Sequence, residues 1–111
     1  RADFVSIHVP LNDATRGMVD ATAFARMKDG AILINASRAH IVDRDALIAA
    51  LDSGRLGGAG FDVQYQEPLT GEESLKDYPN VVLSPHIAVG PRTEALADME
   101  EIIANLAAAV N

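Results

Sequence analysis

The chain has no cysteine and no tryptophan. The first absence excludes disulfides, thiolate catalysis and cysteine-based zinc sites. Aromatic residues make up only 5% of the sequence, so Ala, Ile, Leu and Val must fill most of any core. Positive charge is also scarce: nine Lys and Arg stand against sixteen Asp and Glu, for a net charge of −7. No window gathers a basic cluster, which argues against nucleic acid or an anionic membrane as partner. A single well-placed Arg can still bind a small anion. There is no apolar run long enough to span a membrane and no signal-peptide pattern. The absence of cysteine fits a cytoplasmic protein.

What is present suits one compact domain. The 111 residues are 49% hydrophobic and 23% charged, ordinary proportions for a globular protein. Strand-like and helix-like patterns alternate. Residues 4–9 (FVSIHV) form a β-rich run closed by Pro10. Asp20 is placed to cap a short helix over 21–27, stopped by Gly30. Residues 31–36 (AILINA) are continuously apolar to Asn35, the pattern of a strand buried on both faces. Asp43 can cap a helix over 44–53, with Leu47, Ile48 and Leu51 on one face and Gly54 at its end. Residues 56–63 (LGGAGFDV) read as a third strand whose glycines allow close packing. The stretch 64–80 is irregular and acidic, residues 81–84 form a fourth strand ended by Pro85, and a helical pattern runs from Arg92. There Leu96, Met99, Ile103, Leu106 and Val110 make one apolar stripe, expected to face a core. This order predicts an α/β fold: a partial Rossmann-like, doubly wound parallel sheet of about four strands with flanking helices.

In such a sheet ligands bind beyond the carboxyl ends of the strands. That rule selects Asn35-Ala36-Ser37-Arg38, then Asp62 and Glu67-Pro68, then Pro85-His86. An Arg, a Glu and a His thus stand in successive loops at one rim. The guanidinium suits a carboxylate. The imidazole can pass a proton near neutral pH, and a carboxylate bonded to it fixes its orientation. The set Arg38, Glu67, His86 fits redox of a 2-keto or 2-hydroxy acid, with the hydride supplied by a cofactor, since no side chain provides one. Each residue also has a plainer reading: a surface Arg, a solvated loop acid, a strand-end His. His8 reads as structural within the first strand and His40 as structural. The three histidines match no metal-site spacing, and no metal is expected. The glycines at 54, 57, 58 and 60 lead into a strand, so they are not a phosphate-binding turn, and no G-x-G-x-x-G occurs.

The stretches HVPLNDATRGMVD, MKDGAILINASR, VDRDALIAALDSGRLGGAGFDV, Glu67-Pro68 and NVVLSPHIA, in this order, resemble the D-isomer-specific 2-hydroxyacid dehydrogenases from Ala2 to about Leu106. The resemblance implies an NAD(P)-dependent oxidoreductase, with NAD or NADP as cofactor and a small 2-hydroxy or 2-keto acid as substrate. It puts the family's catalytic Arg on Arg38, its Glu on Glu67 and its His on His86. It puts cofactor contacts on Val9, Pro10, Ala36, Arg38, Asp62, His86, Ala88 and Gly90. It further implies that residues 1–111 are the carboxyl-side half of a dinucleotide-binding domain. The Gly-rich half and the substrate domain would then lie outside it, and the isolated chain would be inactive. The first strand would have an open edge through which a homo-oligomer could form. Two other readings are an NAD-sensing, corepressor-like protein without enzymatic activity and an inactive half-domain. Two departures stand out. Ala39-His40 follow the arginine where the family usually has glycine, and a positive φ at Ala39 would be strained. The turn at Val89-Gly90-Pro91 is a less common version.

Overall fold

The computed structural model describes residues 1–68 and 73–88, together with Glu100, Ile103 and Ala104. Four strands, β1 (Phe4–Ile7), β2 (Ala31–Asn35), β3 (Leu56–Phe61) and β4 (Val81–Leu83), form one sheet in the order β1-β2-β3-β4. Every pairing is parallel, as the alternation of strand and helix predicts. Helix α1 (Ala21–Arg26) joins β1 to β2, and α2 (Arg44–Asp52) joins β2 to β3. The strands follow the predicted positions but stop one or two residues short of 4–9, 31–36, 56–63 and 81–84, because the chain leaves the ladder to build the turns at the rim.

Both helices begin where a side-chain carboxylate meets an orphan N–H. Asp20 Oδ1 accepts from Ala23 N at 2.8 Å, and Asp43 Oδ1 accepts from Ala46 N at 2.8 Å. Helix α1 ends at Arg26, ahead of Gly30, and Gly30 instead makes the left-handed turn into β2 at φ 76°. The glycines of β3 have a packing cause. A Cβ on Gly57 would stand 2.3 Å from the Gly30 carbonyl oxygen, and one on Gly58 would stand 2.8 Å from that of Asn80. Two 3-10 turns, Ala39–Ile41 and Ser74–Asp77, occupy stretches that carry no helical pattern in the sequence.

Each step from strand to strand moves in the same direction across the sheet, and right-handed crossovers then put α1 and α2 on the same face, where they touch. The core lies between that face and the helices, around Phe24, Leu33, Ile41, Leu47, Leu56 and Phe61. This corrects the expectation that β2 is buried on both faces. Ala31, Leu33 and Asn35 are buried, but Ile34 on the other side is 40% exposed. Phe4 and Val82 are also exposed, and the register puts both on the same side as Ile34. Gly90, the Val89-Gly90-Pro91 turn, and Leu96, Met99, Leu106 and Val110 of the helical stripe lie outside the described residues. Ile103 is the one described member of that stripe, and it is exposed rather than core-facing.

Candidate active site at the carboxyl ends of the strands

Because the four strands run in one direction, their carboxyl ends share one rim. An open groove of about 530 Å³ there is lined by His8, Val9, Pro10, Leu11, Ser37 and Arg38. His8 is therefore not inside β1, as the sequence suggests. It stands just past the strand end, exposed, with its Nε2 hydrogen-bonded to Ser6 Oγ at 2.8 Å. His40 is exposed and meets the edge of the Tyr65 ring, consistent with a structural part.

The turn after β2 is built by a buried amide. Asn35 ends the apolar run, and its Oδ1 accepts from Ser37 N at 3.0 Å while its Nδ2 donates to the Arg38 carbonyl at 3.0 Å. Ser37 Oγ donates to the Ile7 carbonyl at 3.2 Å and ties this turn to the end of β1. Arg38 rides on that turn with its side chain exposed and Nη1 donating to the Ser37 carbonyl at 2.7 Å. The strain anticipated at Ala39 does not arise. Ala39 lies buried in a 3-10 turn, and His86 is the one non-glycine residue with positive φ among those described.

Glu67 and His86 form the centre of the site. The Nδ1 of His86 lies 3.0 Å from both carboxylate oxygens of Glu67, and Glu67 Oε1 also accepts from Gln64 N at 3.1 Å. These bonds hold the Glu67 carboxyl below its usual range: His86 is the largest cause, Gln64 N–H the next, and the positive charge of Arg38 adds to both. Arg38 thus reaches the pair through its field, with no hydrogen bond to either member among the described residues. Gln64, Glu67, Pro68, Pro85 and His86 line a smaller cavity of about 170 Å³.

His86 sits at φ 60°, in the left-handed region that side chains seldom adopt. What holds it there is Asp62. Its Oδ1 accepts from Ile87 N at 3.0 Å and from the Ser84 hydroxyl, and its Oδ2 accepts from Ala88 N at 2.7 Å. Burial alone would raise the Asp62 pKa. The bonds from Ser84, Ala88 and Ile87, with the nearby imidazole, outweigh it and leave the group lowered. Asp62, assigned to cofactor contact by resemblance, here organises the turn that presents His86. Ala36 and Ala88 are exposed at the same rim. Sequence reasoning did not single out Gln64 or Ser84, which join the β3 and β4 turns. Their partners lie about twenty residues away, and no spacing announces them.

Among the described residues no three His, Asp or Glu side chains cluster as metal ligands, and no helix is long and apolar enough to cross a membrane. The family model described as D-isomer specific 2-hydroxyacid dehydrogenase, NAD binding domain, matches residues 1–88. Glyoxylate/hydroxypyruvate reductase B of Salmonella newport is 52% identical over 86 residues, 78% of this chain and 26% of that protein. The (S)-sulfolactate dehydrogenase of Chromohalobacter salexigens is 48% identical over 88 residues, 79% of this chain and 28% of that protein. A D-isomer specific 2-hydroxyacid dehydrogenase from Xanthobacter autotrophicus Py2, solved in complex with NADPH and MES, superposes with a TM-score of 0.74 at 40% identity. That match covers 78% of this chain and 28% of that one. The chain therefore spans less than a third of the length of these relatives. By its sequence motifs, its parallel sheet and these matches, the chain belongs to the D-isomer specific 2-hydroxyacid dehydrogenase family, in its NAD-binding domain.

Proposed function

We propose that the protein carrying this chain is an NAD(P)-dependent oxidoreductase of small D-2-hydroxy acids and their 2-keto counterparts. The observation that carries this reading is the His86–Glu67 pair, with Nδ1 of His86 3.0 Å from both carboxylate oxygens, standing on the same rim as the exposed Arg38. The donor set fits the cofactor and the substrate. Val9, Pro10 and Leu11 give the groove an apolar wall for a flat ring, and Arg38 at its edge supplies the cation that a carboxylate requires. A bound nicotinamide supplies or accepts the hydride.

The chain's own residues then divide the remaining work. Arg38 anchors the substrate carboxylate and polarises the neighbouring carbonyl. Glu67 occupies Nδ1 of His86, so Nε2 is the atom left to give a proton to the substrate oxygen or take one from it. Asp62 keeps the turn beneath that imidazole in place. Val9, Pro10, Ala36 and Ala88 form the cofactor-side lining in this reading. These 111 residues act as the carboxyl-side half of the dinucleotide-binding domain, with the phosphate-binding turn and the substrate lobe contributed by other sequence. A cytoplasmic setting and a homo-oligomer go with this reading. For these 111 residues taken alone, the support for the oligomer is the edge of β1, which pairs only with β2 among the described residues, beside the exposed Phe4. A stable monomer by light scattering at high concentration would remove the oligomer.

The decisive experiment is His86→Gln in the whole protein, assayed with hydroxypyruvate or a related keto acid. Loss of the proton route should lower kcat by roughly 10²- to 10⁴-fold. Turnover that stays at the wild-type level would end this reading of the site.

A further inference from the structure

We propose that Gln64 is a positioning residue for the proton-transfer pair, a strut whose one amide side chain fixes the distance between the loop bearing Glu67 and the turn bearing His86. The inference rests on the reading of the site given above.

The geometry is specific. Gln64 lies three residues past the end of β3 and is only 6% exposed. Its Nε2 donates to the Ser84 carbonyl at 2.9 Å, across to the end of β4. That same carbonyl accepts from His86 N at 3.0 Å. The backbone N–H of Gln64 donates to Glu67 Oε1 at 3.1 Å, on the oxygen that also faces His86 Nδ1. One residue therefore holds both members of the pair: Glu67 through its backbone, and His86 through the carbonyl to which the histidine's own N–H is bonded.

Neither loop is otherwise tied to the other by a strand ladder at this point. β3 and β4 pair only from Ala59–Val81 to Phe61–Leu83, and Ser84 N adds one further bond to the Phe61 carbonyl. Beyond that, among the described residues, the two turns are joined by side chains: Asp62 under the His86 turn, Gln64 between the loops, and the Glu67–His86 contact itself. A buried amide left without its acceptor is costly, so Gln64 resists displacement of Ser84. Asp62 sets the shape of the turn, and Gln64 sets how far that turn stands from Glu67.

The charged groups facing Glu67 are His86 from the turn after β4 and Arg38 from the turn after β2. The depression of the Glu67 carboxyl is thus a gauge of how well the pair is held. For a carboxyl with lowered pKa the paired state is complete above its ordinary range and is lost as pH falls through the folded value. Loosening the strut moves that loss to higher pH.

The test uses the whole protein with glutamate labelled at the side-chain carboxyl carbon, so that Glu67 is titrated by NMR without cofactor or substrate. In Gln64→Met, which keeps the volume and removes the donor, Glu67 is expected to titrate at higher pH than in the wild type. The acid limb of the activity profile should move the same way. The kcat should fall by roughly ten- to a hundredfold, the cost of misplacing a reacting group by about 1 Å, with KM changed by no more than about twofold. Gln64→Asn, too short to reach Ser84 but still polar, should shift the Glu67 midpoint in the same direction and by less; it serves if the methionine variant does not fold. Leu47→Ala, a truncation of a fully buried core side chain in α2, should lower stability and leave the midpoint in place. A Glu67 midpoint unmoved in both Gln64 variants, or moved equally by Leu47→Ala, would overturn the inference. Because the titration needs no turnover, it judges Gln64 independently of the His86→Gln result.

Discussion

At the residue scale, the site depends on side chains whose polar atoms are spoken for before any ligand arrives. Asp62 uses both carboxylate oxygens on the turn below His86. Asp62→Asn keeps the size but turns one acceptor into an N–H₂ that must face backbone N–H donors. The expected cost is about 1–3 kcal/mol in urea unfolding. The carboxyl is lowered below its ordinary value of 3.8, so its contribution is full above that value and disappears as pH falls through the folded pKa. The gap between wild type and Asp62→Asn should therefore be widest near neutrality and close in strong acid; a gap constant with pH would contradict this account. Arg38 faces a different demand: its side chain is exposed, with Nη1 engaged on the Ser37 carbonyl and the rest of the fork facing outward. Arg38→Lys preserves the charge but loses the two-point grip on a carboxylate. Its effect should appear chiefly as a KM for the keto acid raised by roughly tenfold or more, measured in steady-state assays. The placement of Arg38, Glu67 and His86 at one rim was legible in the sequence because each follows a strand in a fold whose ligand rim is set by topology. Asn35 was visible as the polar end of an apolar run and as the first residue of the rim, but not as the amide that builds the turn. Gln64 and Ser84 were not legible, because a buried hydrogen bond between loops twenty residues apart leaves no local pattern.

At the element scale, the glycines of β3 separate into two kinds that composition alone could not distinguish. Gly57 abuts the Gly30 carbonyl, whereas a Cβ on Gly60 meets nothing within 4 Å. Gly57→Ala should lower stability by about 1–3 kcal/mol or more through overpacking against backbone. Gly60→Ala should change it by less than about 1 kcal/mol, and thermal unfolding of the two variants gives the comparison. The caps at Asp20 and Asp43 were legible because an N-cap is a rule about four consecutive residues. The 3-10 turn at Ser74–Asp77 was not. It is held by distant partners: Arg44 Nη2 donates to Glu73 Oε1 at 3.1 Å and lies 2.9 Å from the Ser74 hydroxyl. The same arginine stands 6.0 Å over the Tyr65 ring, whose hydroxyl donates to the Val42 carbonyl at 2.9 Å. The loop that carries Glu67 is thus moored to the start of α2 at both ends. The sequence showed only an acidic, irregular stretch.

At the scale of the whole molecule, the parallel order of the strands sorts the chain into two ends with different duties. The carboxyl rim carries the exposed Arg38, the His86–Glu67 pair and the two cavities beside them. The amino rim carries Arg55, just ahead of β3. Its guanidinium donates to the Phe24 carbonyl at 3.2 Å and to the Met27 carbonyl at 2.7 Å, and it also bonds the Ala25 carbonyl and Asp29. A side chain about thirty residues downstream in sequence thereby gathers carbonyls at the end of α1, where only that of Phe24 also accepts a backbone N–H among the described residues, from Met27. Arg55→Ala should cost about 1–3 kcal/mol of stability while turnover per folded molecule stays at the wild-type level. Denaturation and active-site titration on one sample would show whether the two quantities part in this way. If they do, robustness and reactivity are kept in separate places along the strands. Lineages that adapt to heat could then tighten the Arg55 end without retuning the acid–base pair, and lineages that change substrate could revise the opposite end on an unaltered frame.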